Sequence, residues 1–169
     1  MNELTVAPAP APAAALAAPA EYLSFRLGDE EYGIGILQVQ EIRSYEEPVG
    51  LPNAPDVLRG VLDLRGIVTP VVDLRLAFGQ AAPITALTGV IVLNLGARVV
   101  GVVVDAVSDV LELGPEHIRP APRLHSPGFD TSFITGIATL RERMLILMDI
   151  ARLLDNPALG LVDALPSGS

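Results

Sequence analysis

The sequence predicts an all-β protein made of two similar barrel or sandwich subdomains with a short C-terminal helix, and three observations lead there. First, the chain repeats itself. Residues 22–45 (YLSFRLGDEEYGIGILQVQEIRSY) match residues 90–113 (VIVLNLGARVVGVVVDAVSDVLEL) without a gap, with Leu27/Leu95, Gly28/Gly96 and Gly33/Gly101 identical and the apolar positions in step. Second, residues 60–73 (GVLDLRGIVTPVVD) are echoed by 136–149 (GIATLRERMLILMD), which keep Gly, Leu, Arg and Asp at the same four places. Third, short runs rich in β-branched residues alternate with turn residues, and little of the chain has helical periodicity.

Taken in order, residues 1–20 are Ala/Pro-rich and read as a flexible tail, since prolines interrupt the apolar run and no positive charge opens it as a secretory leader would require. Residues 22–27 alternate as a strand. Gly28-Asp29-Glu30 turns the chain into a second strand through Tyr32, Ile34 and Ile36. Residues 39–45 space their apolar positions by three, which fits a bent strand or a helical turn. A loop at 46–53 is punctuated by Pro48 and Pro52, and residues 54–59 suit one helical turn with Pro55 near its start. Residues 60–74 read as a hairpin turning at Arg65-Gly66, with Pro70 at an edge or bulge. After a loop at 77–87, residues 90–95 and 99–104 form the clearest hairpin, around Gly96-Ala97-Arg98. Residues 113–128 hold four prolines and read as a long loop; 133–138 and 143–148 make the second echo's hairpin. Asp149 caps a helix begun by DIARLL. The expected organisation is a tail (1–20), a domain (21–156) with subdomains at about 21–88 and 89–150, strands open to exchange between them, and a C-terminal tail (157–169).

Half of the 169 residues are apolar, enough for a core, yet there are only four Phe, three Tyr and no Trp, so Val, Leu and Ile must fill it. No Cys is available for disulfides or thiolate metal sites. A net charge of −9, with all eleven basic residues Arg, argues against nucleic acid and anionic membranes as partners. Asn94 and Arg98 break the most apolar stretch, which excludes a membrane span there. A soluble cytoplasmic protein is expected.

Catalytic constellations are missing. His117 and His125 lie in the Pro-rich loop without metal-ligand spacing or flanking carboxylates. Gly33-Ile34-Gly35 lacks the third glycine of a dinucleotide fingerprint, and there is no phosphate loop or nucleophile elbow. Asp73 and Asp149, at equivalent places after core strands, suit capping or pairing with Arg better than general-base work. The reading is a non-enzymatic binding protein with no cofactor and no metal. Its distinctive surface candidates are charges among apolar residues: Glu41 and Arg43 beside Val39 and Ile42, Arg65 at a hairpin tip, and Asp109 in the place of Glu41.

Those same residues carry a family resemblance. Residues 29–46 (DEEYGIGILQVQEIRSYE), 51–75 (LPNAPDVLRGVLDLRGIVTPVVDLR), 90–113 and the IRPAP at 118–122 closely resemble the CheW family of bacterial chemotaxis coupling proteins, over roughly residues 21–154. The resemblance implies two SH3-like five-stranded β-barrels around a shared hydrophobic core. It also implies a function: bridging the cytoplasmic tips of methyl-accepting chemotaxis receptors to the histidine kinase CheA in membrane-associated arrays, with other CheW copies as possible ring neighbours. The same kind of adaptor could serve another chemosensory pathway, such as surface motility. Carried over by position, Val39, Glu41, Ile42 and Arg65 match the partner-binding region, with Glu41 and Arg65 as its surface acid–Arg pair. Val107 and Val110 match the receptor groove, and Gly60 a hairpin-entry glycine supporting this surface. Asp63 stands where the family has Asn, which leaves the partner of Arg65 open.

Overall fold

The computed structural model describes residues 19–155 apart from 97, 122–124, 127–128 and 131. Its first strands are β1 (Ala20–Leu27), β2 (Glu30–Gly35) and, after a 3-10 turn at Ile36–Gln38, β3 (Val39–Ser44). The hairpin β4 (Leu58–Leu64) and β5 (Ile67–Asp73) leads into a short helix α1 (Leu74–Ala77). Then come β6 (Gly89–Asn94), β7 (Val99–Val104) and β8 (Ala106–Leu113). The small strands β9 (Ile118–Arg119), β10 (His125–Ser126) and β11 (Phe129–Asp130) precede β12 (Ile134–Leu140), β13 (Arg143–Met148) and helix α2 (Ile150–Leu154).

Several local expectations change. Of the two readings of residues 39–45 the bent strand holds, over Val39–Ser44, and its odd apolar spacing has a cause: the register against β6 shifts between Val39 and Glu41, so a bulge at Gln40 interrupts the alternation. At 54–59 there is a turn closed by the Leu58 N–H donating to the Pro55 carbonyl, running straight into β4. The first four residues after β5 are helical because the Asp73 side chain caps them, accepting from the Arg75 N–H. The expected loop after Leu113 contains a 3-10 turn at Pro115–His117 and β9, which pairs with β12. Asp149 caps α2 as expected, by accepting from the Arg152 N–H. Ala20, assigned to the tail, pairs with Leu113 as the start of β1. Residues 1–18 and 156–169 lie outside the described residues.

Two main sheets result. One has six strands in the order β8-β1-β2-β13-β12-β9, the other five in the order β3-β6-β7-β5-β4. In repeat terms β6, β7 and β8 are the second copies of β1, β2 and β3, and β12–β13 is the second copy of β4–β5. The two sheets therefore have the same order with the copies exchanged. Hairpin β1–β2 pairs with β8 and, in parallel, with β13; hairpin β6–β7 pairs with β3 and, in parallel, with β5. A cut near residue 88 would divide both sheets.

This exchange explains why strands β6 and β7 have no polar face. Val90, Val92 and Val103 join Leu62, Leu64 and Val71 on one side of their sheet. Ile91, Leu93, Val100, Val102 and Val104 point the other way, into a core shared with Leu23, Phe25, Leu27 and Ile34 of the six-stranded sheet. Leu113, Ala138, Leu145 and Leu147 form the corresponding cluster of the six-stranded sheet. Four aromatic rings run in a stacked row, Phe25–Tyr32–Phe78–Phe133, with centroids 6.0, 5.8 and 5.6 Å apart.

Between the sheets lies a buried charge cluster. Arg75 is fully buried and holds Asp73 through Nε to Oδ1 (2.9 Å) and Nη2 to Oδ2 (3.0 Å). Its Nη1 donates to the Pro83 carbonyl (2.6 Å) and to Asp105 Oδ1 (2.9 Å). Arg59 adds a second donor to Asp73 Oδ2 at 2.7 Å. Asp105 joins β7 to β8, and its Oδ2 accepts from the Gly28 N–H (2.7 Å) in the β1–β2 turn. One carboxylate thus ties the two sheets together.

Candidate interaction surface

The bulged strand β3 forms one edge of the five-stranded sheet and β8, bulged at the equivalent point, one edge of the six-stranded sheet. A bulge throws neighbouring side chains outward. Ile42 and its repeat partner Val110 are accordingly 48% and 47% exposed. Val39 and Val107 are half-buried and pack on the shared core. The two edges meet where Ile42, Arg43 and Ser44 of β3, Val107 of β8 and residues 86–89 enclose a depression of about 280 Å³. Ile42 and Val107 are thus brought together; Val39 and Val110 lie outside its lining.

The charged candidates also meet. Arg65, in left-handed backbone at the β4–β5 tip, donates from Nη2 to Glu41 Oε2, and Arg43 stands 3.6 Å from the same carboxylate. The hydrogen bond from Arg65, then its charge and that of Arg43, hold the Glu41 carboxyl below the usual carboxylate range despite some desolvation. Asp63 does not compete, because its Oδ1 accepts from the Gly66 N–H (2.8 Å) inside the turn. Gly60 touches none of these groups. At φ +145°, a Cβ there would stand 2.1 Å from the Val49 carbonyl oxygen, so glycine lets the 49–50 segment cross β4 and bridge Val61.

The second repeat rearranges the same parts. Arg141 matches Arg65 in position and in left-handed backbone (φ 57° against 55°), yet Asp109 is taken by Arg143. Arg143 donates to Asp109 Oδ1 (3.0 Å) and Oδ2 (3.2 Å) and to both Glu31 oxygens, while the Ser24 hydroxyl donates to Asp109 Oδ1 (2.6 Å). Hydrogen bonds from Arg143 and Ser24 hold the Asp109 carboxyl low. Sequence reasoning missed Arg143 because its repeat counterpart is Ile67. It also missed Leu87, which protrudes beside the depression, 72% exposed, from a loop without periodicity.

Among the described residues no helix is long and apolar enough to cross a membrane. Comparison with known proteins gives a consistent picture. The family model for the CheW-like domain matches residues 21–158. A chemotaxis protein CheW of Klebsiella aerogenes is 52% identical over 144 residues, covering 85% of this chain and 86% of that protein. One of Bacillus subtilis is 31% identical over 144 residues, covering 85% and 92%. The crystal structure of the scaffolding protein TtCheW from Thermoanaerobacter tengcongensis superposes with a TM-score of 0.75 at 29% identity, covering 83% of this chain and 96% of that one.

Proposed function

This chain belongs to the family of CheW-like domains, and from that premise we propose that it is a non-enzymatic chemotaxis adaptor coupling methyl-accepting receptors to the histidine kinase CheA. The observation that carries the reading is the pairing of two adjacent but different surfaces. One is the apolar seam between the bulged edges of β3 and β8; the other is the charged Glu41–Arg65 pair at the β4–β5 tip. In this reading Val39, Ile42, Val107 and Val110 serve the receptor, by accepting the apolar stripe of a helix laid along the seam. Glu41 and Arg65 serve the kinase, and Gly60 supports the hairpin that presents Arg65. An adaptor passes a signal only if its contacts differ in strength between the kinase-on and kinase-off arrangements.

The test is co-sedimentation of kinase with a receptor cytoplasmic fragment, with and without this chain. The chain is expected to raise the amount of kinase captured. Arg65→Glu is expected to abolish that gain while leaving the melting temperature nearly unchanged, because an exposed turn-tip side chain carries little stability. No gain with the unaltered chain would reject the function. Full capture by Arg65→Glu would remove Arg65 from the kinase surface.

A further inference from the structure

The chain crosses between its two main sheets at two equivalent joints, and they are built differently. Strand β2 of the six-stranded sheet passes to β3 of the five-stranded sheet through Ile36–Gln38, and β7 passes back to β8 through Asp105. At the repeat's offset Leu37 and Asp105 occupy the same place. The first joint is lightly held: Leu37 is 97% exposed and the turn buries no residue. The second is tied on both sides. The Asp105 N–H donates to the Arg26 carbonyl (3.0 Å) and its Oδ2 accepts from the Gly28 N–H (2.7 Å), both in the β1–β2 hairpin. Its Oδ1 accepts from Arg75 Nη1 (2.9 Å), which belongs to the other sheet's buried cluster.

The position of this tie relates it to both surfaces. Arg75 stands two residues past β5, the strand that runs inward from the Arg65-Gly66 tip. Asp105 stands two residues before Val107, which lines the depression between β3 and β8. Arg75 Nη1 also holds the Pro83 carbonyl (2.6 Å), to which Thr88 Oγ1, from another wall of the depression, donates at 3.5 Å. The guanidinium is fully buried and gripped by Asp73 at two points, so it moves with the end of β5. Two sites influence one another when a common element responds to both.

We propose that Asp105 is a positioning residue that couples the kinase surface to the receptor seam. Its carboxylate carries a displacement of the β4–β5 hairpin through Arg75 to the start of β8, so occupation of one surface alters the affinity of the other. This rests on the assignment of those surfaces under the adaptor function and adds the residue that links them. Asp105 acts through Arg75 and Gly28 and needs no contact with either partner.

The experiment measures the affinity of the full chain for a receptor cytoplasmic fragment, with and without saturating kinase regulatory domain. The ratio of the two affinities is the coupling, expected to be about fivefold or more for the unaltered chain. Asp105→Asn replaces one acceptor oxygen by a donor at the same size, so either Arg75 or Gly28 loses its acceptor. Arg75 keeps Asp73 and Pro83, and the variant is expected to melt as a native protein and to bind each partner alone as tightly as before. Its ratio should fall close to one. Asp105→Leu, which puts the first repeat's residue at this joint, removes both bonds and should do the same. Asp29→Asn makes the same change of charge in the β1–β2 turn and should keep the full ratio. A full ratio in Asp105→Asn and Asp105→Leu would overturn the coupling role, as would a fall in Asp29→Asn. Weakened binding of each partner alone, matching the loss of ratio, would overturn it too, as the mark of a purely structural residue. A ratio of one in the unaltered chain would overturn the coupling and leave the adaptor function in place. An unaltered chain that binds neither partner would reject both.

Discussion

Arg75 shows how one side chain can hold distant segments in place. Its guanidinium is buried, and its bonds reach Asp73 after β5, the Pro83 carbonyl in the loop beyond α1, and Asp105 between the sheets. Arg75→Met is expected to cost about 3–5 kcal/mol, read by urea denaturation, because it leaves Asp73 buried with a single remaining arginine. Burial alone would raise the Asp73 pKa, but hydrogen bonds from Arg75 and Arg59 outweigh it and hold the carboxyl below its ordinary value. A depressed carboxyl contributes stability above the unfolded pKa of ~3.9 and loses it as pH falls through the lower folded value. Urea midpoints should therefore hold at pH 5–6 and fall progressively below about pH 4. A midpoint flat down to pH 3 would contradict the depressed Asp73.

At the scale of elements, the repeated glycines have a shared cause. Gly60 and Gly136 follow equivalent register shifts in β4 and β12, and each lies beneath a crossing segment: the Val49 carbonyl in one copy, Ile118 and the Arg119 carbonyl in the other. Only Gly60 has positive φ and a Cβ position 2.1 Å from backbone. Gly60→Ala is thus expected to lose at least ~2 kcal/mol by chemical denaturation and Gly136→Ala less. Much at this scale was legible in the residues. Hairpins at Arg65-Gly66 and Gly96, the cap at Asp149 and the Glu41–Arg65 pair all follow from local pattern or resemblance. What escaped depended on non-local pairing. Gln40's bulge disguised β3 because it removes the alternation that identifies a strand. Arg143 could not be paired with Asp109 before its distance across the sheet was known, and Leu87 has no pattern to mark it.

The whole molecule is two copies of one plan with their hairpins traded. Alternation assigns a strand's faces, but not which strand lies beside it, so the duplication was visible in sequence and the exchange was not. It predicts that fragments 1–88 and 89–169, expressed separately, lack native circular dichroism because each leaves both sheets incomplete. Mixed together they should recover it, along with a cooperative melt. Native spectra from either fragment alone would contradict the exchanged pairing.

The traded hairpins also set a timetable for the chain as it leaves the ribosome. Strand β7 ends at Val104, so the five-stranded sheet cannot close until the chain has been made through that residue, long after β3, β4 and β5. Hairpin β1–β2 emerges first yet waits for β13, which ends at Met148, to cover its free edge. During that interval an apolar hairpin with an open edge is exposed to other nascent chains, the condition under which strands pair wrongly.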